Sequence, residues 1–272
     1  GQSGHPGPGR CRGCSIRPGC RTARTRACAS STMASVDPIR SLCGALTQAT
    51  GGVYHVDLRM PDGIHRLAEV VDLLFGKRIV GADVRERLTL HVPAAIMVLL
   101  ADPMGTYAKL ACECFASVYP RVFLYASQDG SPASFQLWQV VTAIKERVLF
   151  TLDDGTLGAR IGAVKACQRI IQAQTKPDGD PRLQNRAEIN LNAVPPEHPF
   201  LKTEQLEAEA DQVFTRLVTL LFTCKAPSLV MGVTQVLTRL ARLRTKLNKV
   251  VIEAFVSWTP ASLESLAPVH VR

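Results

Sequence analysis

The chain has 272 residues, of which 20% are charged and 46% belong to the hydrophobic set. This is a globular balance, sufficient for one large domain or two small ones, and 19 Gly with 17 Pro excludes a collagen-like or wholly low-complexity chain. The longest run free of charged or strongly polar residues is Val92 to Ala101. It is half of the roughly 20 residues that a membrane-spanning helix needs, so a soluble protein with no membrane partner is expected.

The net charge of +9 is uneven, because residues 1–32 hold six Arg, no Lys and no acid. The rest of the chain therefore carries only +3. The same segment holds Cys11, Cys14, Cys20 and Cys28 in a C-x2-C-x5-C-x7-C spacing. That spacing lacks the two clean ligand pairs of a structural zinc site. The segment also has no apolar period and no hydrophobic region of a secretory signal. Residues 1–32 read as a disordered basic tail or, with Met33 in Thr32-Met33-Ala34-Ser35 as a natural start, as an extension of the gene model. Residues 33–63 are a poorly defined lead-in. Cys43, Cys112, Cys114, Cys167 and Cys224 read as small buried hydrophobes in a reduced compartment.

From residue 64 onward, helical periods replace strand signals. Ile64, Leu67, Ala68, Val71, Leu74 and Phe75 form one stripe. Asp83 to Leu100 forms a second helical stretch, kinked or restarted by Pro93. Gly105 to Val118 and Arg121 to Ala126 follow as two pieces on either side of Pro120. Ser134 to Leu152 is a long helix. Thr156 to Ala173 carries Leu157, Ile161, Val164, Cys167 and Ile171 on one face. Residues 174–203 then break the period with five Pro, a length that is uncommon inside a compact domain and usually functional. Ile189, Leu191, Val194 and Phe200 are expected to anchor this loop along the helices that flank it. Thr203 and Ser228 are expected to cap the next two helices. The last helix runs from about Lys246 to Trp258.

Helices of this length joined by short turns bury their stripes against sequential neighbours, as a closed bundle or an open stack of helix pairs. Asp102-Pro103, Asp153-Asp154-Gly155 and Ala226-Pro227 punctuate pairs at intervals that fit repeats of about 40–47 residues, with the long loop inserted in the wider interval. The expected fold class is an all-α solenoid of antiparallel helix pairs of the HEAT or armadillo type over residues 64–272.

Catalytic signals are thin. The H-E-x-x-H, G-x-S-x-G, Walker and dinucleotide-binding motifs are missing from the sequence. No two of the six His are within six residues of each other. Asp153 and Asp154 read as a helix cap beside Gly155, and Cys112 and Cys114 point to different sides of a helix. No catalytic, cofactor or metal site is expected. What stands out is a polar ridge of Gly158, Gly162, Lys165, Arg169 and Gln172 on one helix face. A parallel ridge, Gly232, Gln235, Arg239 and Arg242, lies on the second helix of a later pair, and Lys109 occupies the comparable place on an earlier one. Second helices line the concave face of a solenoid, where Lys109, Lys165, Arg169, Gln235, Arg239 and Arg242 would meet an acidic partner.

These residues resemble a known family. The run Gly158-Ala159-Arg160-Ile161-Gly162-Ala163-Val164-Lys165-Ala166-Cys167-Gln168 is similar to a helix of the symplekin family. So is the loop piece from Glu188 through Leu191, Val194-Pro195-Pro196 and His198-Pro199-Phe200. Val233 to Trp258 resembles a later pair, although Arg242 is followed by Leu243-Arg244-Thr245 where the family has a Pro. Asp102-Pro103 through Lys109 to Tyr119-Pro120 is similar to an earlier repeat of fungal members. The resemblance spans about residues 64–258.

It implies a non-catalytic nuclear scaffold in pre-mRNA 3′-end cleavage and polyadenylation. The implied partners are a phosphatase of the RNA polymerase II carboxy-terminal repeats and other subunits of the cleavage and polyadenylation factor. It also implies that this chain is a piece of a longer scaffold. Two other readings stay open: a generic solenoid adaptor of the nuclear-transport type, and a basic scaffold that contacts RNA through the Arg-rich tail. RNA contact is expected to be indirect.

Overall fold

The computed structural model describes residues 1, 39–56, 60–76, 81–177 and 188–259. The basic tail with its four cysteines lies outside the described residues, apart from Gly1. Residues 39–49 are helical (α1). They are followed by α2 (Gly63–Phe75), α3 (Ala82–Leu88), α4 (Val92–Leu100), α5 (Ala108–Gln128), α6 (Pro132–Asp154) and α7 (Leu157–Ala173). A short 3-10 turn, Leu191–Ala193, precedes α8 (Thr203–Thr223) and α9 (Pro227–Leu243); a second, Thr245–Leu247, leads into α10 (Asn248–Ser257). The described residues contain no strand.

Sequential helices pair as α4 with α5, α6 with α7 and α8 with α9. The second members then stack on each other, α5 on α7 and α7 on α9, with α2 against the free side of α5. This is the all-α solenoid expected from the periodicity. α7 sits in the middle and is buried on both flanks, through Ala159, Ala163, Val164, Ala166, Cys167, Ile170 and Ile171.

The structure corrects three local expectations. α5 does not break at Pro120 but runs through it. A proline inside a helix costs about 3 kcal/mol, because it removes a donor and crowds the preceding turn. Burying one large apolar side chain returns about 1.5–3 kcal/mol. Here Phe115, Tyr119, Val122 and Phe123 are all buried around the proline. Their rings continue as a ladder, Phe115–Tyr119 at 5.2 Å, Tyr119–Phe123 at 6.1 Å and Phe123–Trp138 at 6.0 Å. Second, Asp153 and Asp154 end α6 instead of capping α7. The cap is Thr156, whose hydroxyl accepts from the Ala159 amide, while Asp153 pairs with Arg216 of α8 at 3.2 Å. Third, α8 and α9 begin without a side-chain cap, with Thr203 and Ser228 already inside them.

The described part of the long loop, residues 188–202, is packed. Leu191, Val194, His198 and Leu201 are buried. The 3-10 turn rests on α5, and Phe200 meets Phe135 edge-on at 5.4 Å. At the start of this return Glu188 reaches Arg244, which is 1% exposed. The Arg244 guanidinium donates to Thr175 Oγ1 (2.8 Å), Gln172 O (2.7 Å), Leu243 O (2.8 Å) and Glu188 Oε1 (3.1 Å). One buried side chain therefore ties the ends of α7 and α9 to the loop. After this tie the chain turns through Thr245–Leu247 before α10 begins.

Candidate partner-binding groove

The exposed and half-buried strips of the second helices lie side by side. On α5 the strip is Lys109, Glu113 and Ser117; on α7 it is Ile161, Lys165, Gln168 and Arg169; on α9 it is Met231, Gln235, Arg239 and Arg242. With α2 they enclose an open groove of about 600 Å³ lined by Asp72, Phe75, Glu113, Lys165, Arg169 and Arg239, among others. Phe75 and Ala116 are buried, so they give the groove an apolar floor beneath charged walls.

The geometry sorts the six residues expected to bind a partner. Lys165, Arg169 and Arg239 come together in the groove. Lys109 is exposed at the start of α5, one turn before Glu113, and lies outside the groove lining. Gln235 and Arg242 are exposed on α9 but also outside it. Two members of the α7 ridge are not surface at all. Gly162 is buried against α5, and Gln172 is 4% exposed. Gly162 is a packing residue: a Cβ on it would stand 3.0 Å from the Lys109 carbonyl and 3.2 Å from Cys112 Cβ. Arg160, on the same helix, donates through Nε to the Leu152 carbonyl at 2.8 Å and so closes the end of α6.

Electrostatics divide the basic residues further. Lys165 Nζ is 2.9 Å from Glu113 Oε1, a pair half exposed to solvent, so its charge is already matched. Arg169 donates to the Gln172 side-chain carbonyl at 3.3 Å and has no carboxylate within ion-pair distance among the described residues. Burial first, and then the Arg239 charge, pull the Arg169 guanidinium below its ordinary value, with Glu188 acting in the opposite sense. Two guanidiniums near each other, neither with a carboxylate at ion-pair distance among the described residues, favour an oxyanion from outside.

The sequence reading missed the acidic side of this site. Asp72 and Glu113 come from α2 and α5, far from Arg169 along the chain, and no local spacing links them. The only available signal was that both sit on the polar faces of amphipathic helices.

The cysteines of the described residues are buried. Among the described residues no group of three His, Cys, Asp or Glu could hold an ion. Burial pushes the Cys43 thiol up to about 11 and Cys112 up to about 12, and drives Cys114 and Cys167 further still. Such thiols stay protonated and are poor nucleophiles. No helix among the described residues is long and apolar enough to cross a membrane.

The family model described as Symplekin/PTA1 N-terminal matches residues 106–271, more than half of the chain. The stretch so matched includes α5 to α10 and therefore all six residues expected to bind a partner. A relative in Schizosaccharomyces pombe, the mRNA cleavage and polyadenylation specificity factor complex subunit pta1, is 28% identical over 152 residues. The match covers 55% of this chain and 22% of that relative's length. This chain belongs to the symplekin/PTA1 N-terminal family.

Proposed function

We propose that this chain is the helical docking part of a non-catalytic scaffold in nuclear pre-mRNA 3′-end cleavage and polyadenylation. Its partners in this reading are other subunits of the cleavage and polyadenylation factor and a phosphatase that acts on the carboxy-terminal repeats of RNA polymerase II. The name of the fission-yeast relative supports the process. The observation that carries the docking role is the groove. Three basic side chains from two stacked helices converge there, and Arg169 and Arg239 are left without an acidic partner among the described residues. A solenoid whose second-helix layer is continuous offers one long rigid surface, and such surfaces serve binding without chemistry of their own. In this reading the partner-contacting residues are Lys165, Arg169 and Arg239 at the centre, with Lys109, Gln235 and Arg242 at the periphery.

The test is reconstitution. The full chain, mixed with the recombinant phosphatase and passed over a sizing column, is expected to co-elute with it as a stoichiometric complex. Separate elution at concentrations of tens of micromolar would remove the phosphatase from the list of partners.

A further inference from the structure

The groove is polarised in charge from wall to wall. Arg169 and Arg239 stand on the α7 and α9 side, and Asp72 stands on the α2 side beside Phe75 and Gly76. Between them Glu113 and Lys165 neutralise each other across 2.9 Å. Asp72, Arg169 and Arg239 make no ion pair among the described residues. One exposed acid and two guanidiniums therefore face a shared space from opposite sides, over an apolar floor.

This pattern selects the chemistry of the occupant. A nucleic acid presents phosphate along its whole length, so any strand that reached Arg169 and Arg239 across this groove would also bring negative charge to Asp72. The central Lys165 offers no compensation, because Glu113 already matches it. A polypeptide can carry opposite charges at its two ends and cover Phe75 and Ala116 with aliphatic side chains between them. We propose that the groove binds a mixed-charge protein segment. Its carboxylate is received by Arg169 and Arg239, and its basic side chain by Asp72. The proposal rests on the docking reading above and gives the docked partner a charge pattern.

The experiment uses the full chain, the variants Asp72→Lys and Arg239→Glu, and two short synthetic peptides of equal length. One peptide has an acidic half and a basic half; the other is acidic throughout. Both substitutions are at exposed positions, and thermal melts establish that the variants are folded. The parent is expected to bind the half-and-half peptide about tenfold tighter than the acidic one. Asp72→Lys should reverse that preference, and Arg239→Glu should weaken the half-and-half peptide by about tenfold. The proposal is overturned if the acidic peptide, or a single-stranded RNA of similar length, binds the parent as tightly as the half-and-half peptide. Failure of both peptides to bind overturns it too. Should the peptide preference hold while the phosphatase does not bind, the named partner is wrong and the charge pattern stands.

Discussion

The carbonyl oxygen of Lys109 stands 3.0 Å from where a Cβ would sit on Gly162, so α5 and α7 approach backbone to backbone at this crossing. Gly158, one turn earlier on α7, faces only the flexible Cδ of Lys109, at 3.4 Å. Two glycines on one helix face thus have different work. At Gly162 the missing side chain sets the spacing of the layer that carries the groove. At Gly158 nothing rigid opposes a methyl group.

The first prediction follows from that contrast. Gly158→Ala is expected to stabilise the fold by up to about 1 kcal/mol through helix propensity alone. Gly162→Val should cost about 2–3 kcal/mol, because the added atoms meet a backbone carbonyl that cannot turn aside. Urea unfolding of the two variants checks both. Equal effects of the same sign would show that the crossing is looser than the distances indicate.

Arg244 supplies the second. Its guanidinium is buried and fully engaged, and removing it leaves the buried Thr175 hydroxyl and the Gln172 carbonyl without its donors and Glu188 without its counter-ion. Breaking one side of such a pair costs about 3–5 kcal/mol. Arg244→Ala is expected to fall in that range. Glu188→Gln, whose partner keeps three other acceptors, should cost only about 1 kcal/mol. A loss below about 1 kcal/mol for Arg244→Ala, read from denaturant midpoints, would mean that the tie is dispensable.

The third concerns pH. The His198 ring is buried in the loop return and accepts a hydrogen bond from the Leu201 amide through Nδ1 at 3.1 Å. Burial, the largest influence, holds its pKa below the ordinary 6.5; Lys202 adds to this, while the Ala126 carbonyl and Asp129 oppose it. The unfolded chain then binds the proton more tightly than the folded one. Between the two pKa values the unfolded state carries more protons, so stability rises with pH through that window. The contribution is complete above the ordinary value and is lost as pH falls through it towards the lowered one. The midpoint of urea unfolding is expected to drop between about pH 7.5 and pH 5.5. His198→Asn, which keeps an acceptor, should make that drop shallower. An unchanged slope in the variant would assign the dependence to another group.

The solenoid was legible because each helix needs a 3.6-residue stripe to bury, and Leu206, Val213, Leu217 and Leu221 or Val233, Leu237 and Leu240 write that stripe plainly. The packed loop was legible from Leu191 and Val194 among prolines. Pro120 was misread because the burial that overrides it comes from Trp138 and other helices, which a local rule does not see. The ridge on α7 was half right for a related reason. A helix flanked on two sides has a narrow exposed strip, and Gly162 and Gln172 fall just outside it. The acidic wall of the groove was invisible, since Asp72 meets Arg169 and Arg239 only through the stacking order of α2, α5, α7 and α9.

The most direct measurement is a calorimetric titration of the polymerase-tail phosphatase into the full chain and its Lys165→Glu and Arg239→Glu variants. The Lys165–Glu113 pair is half exposed and contributes at most about 1 kcal/mol, so Lys165→Glu should lower the melting temperature only slightly. Both variants are predicted to bind at least tenfold more weakly, about 1.4 kcal/mol: Arg239→Glu removes an unmatched cation, and Lys165→Glu leaves Glu113 unmatched in the groove. Unchanged affinity in two folded variants would contradict the account and move the partner surface away from the groove.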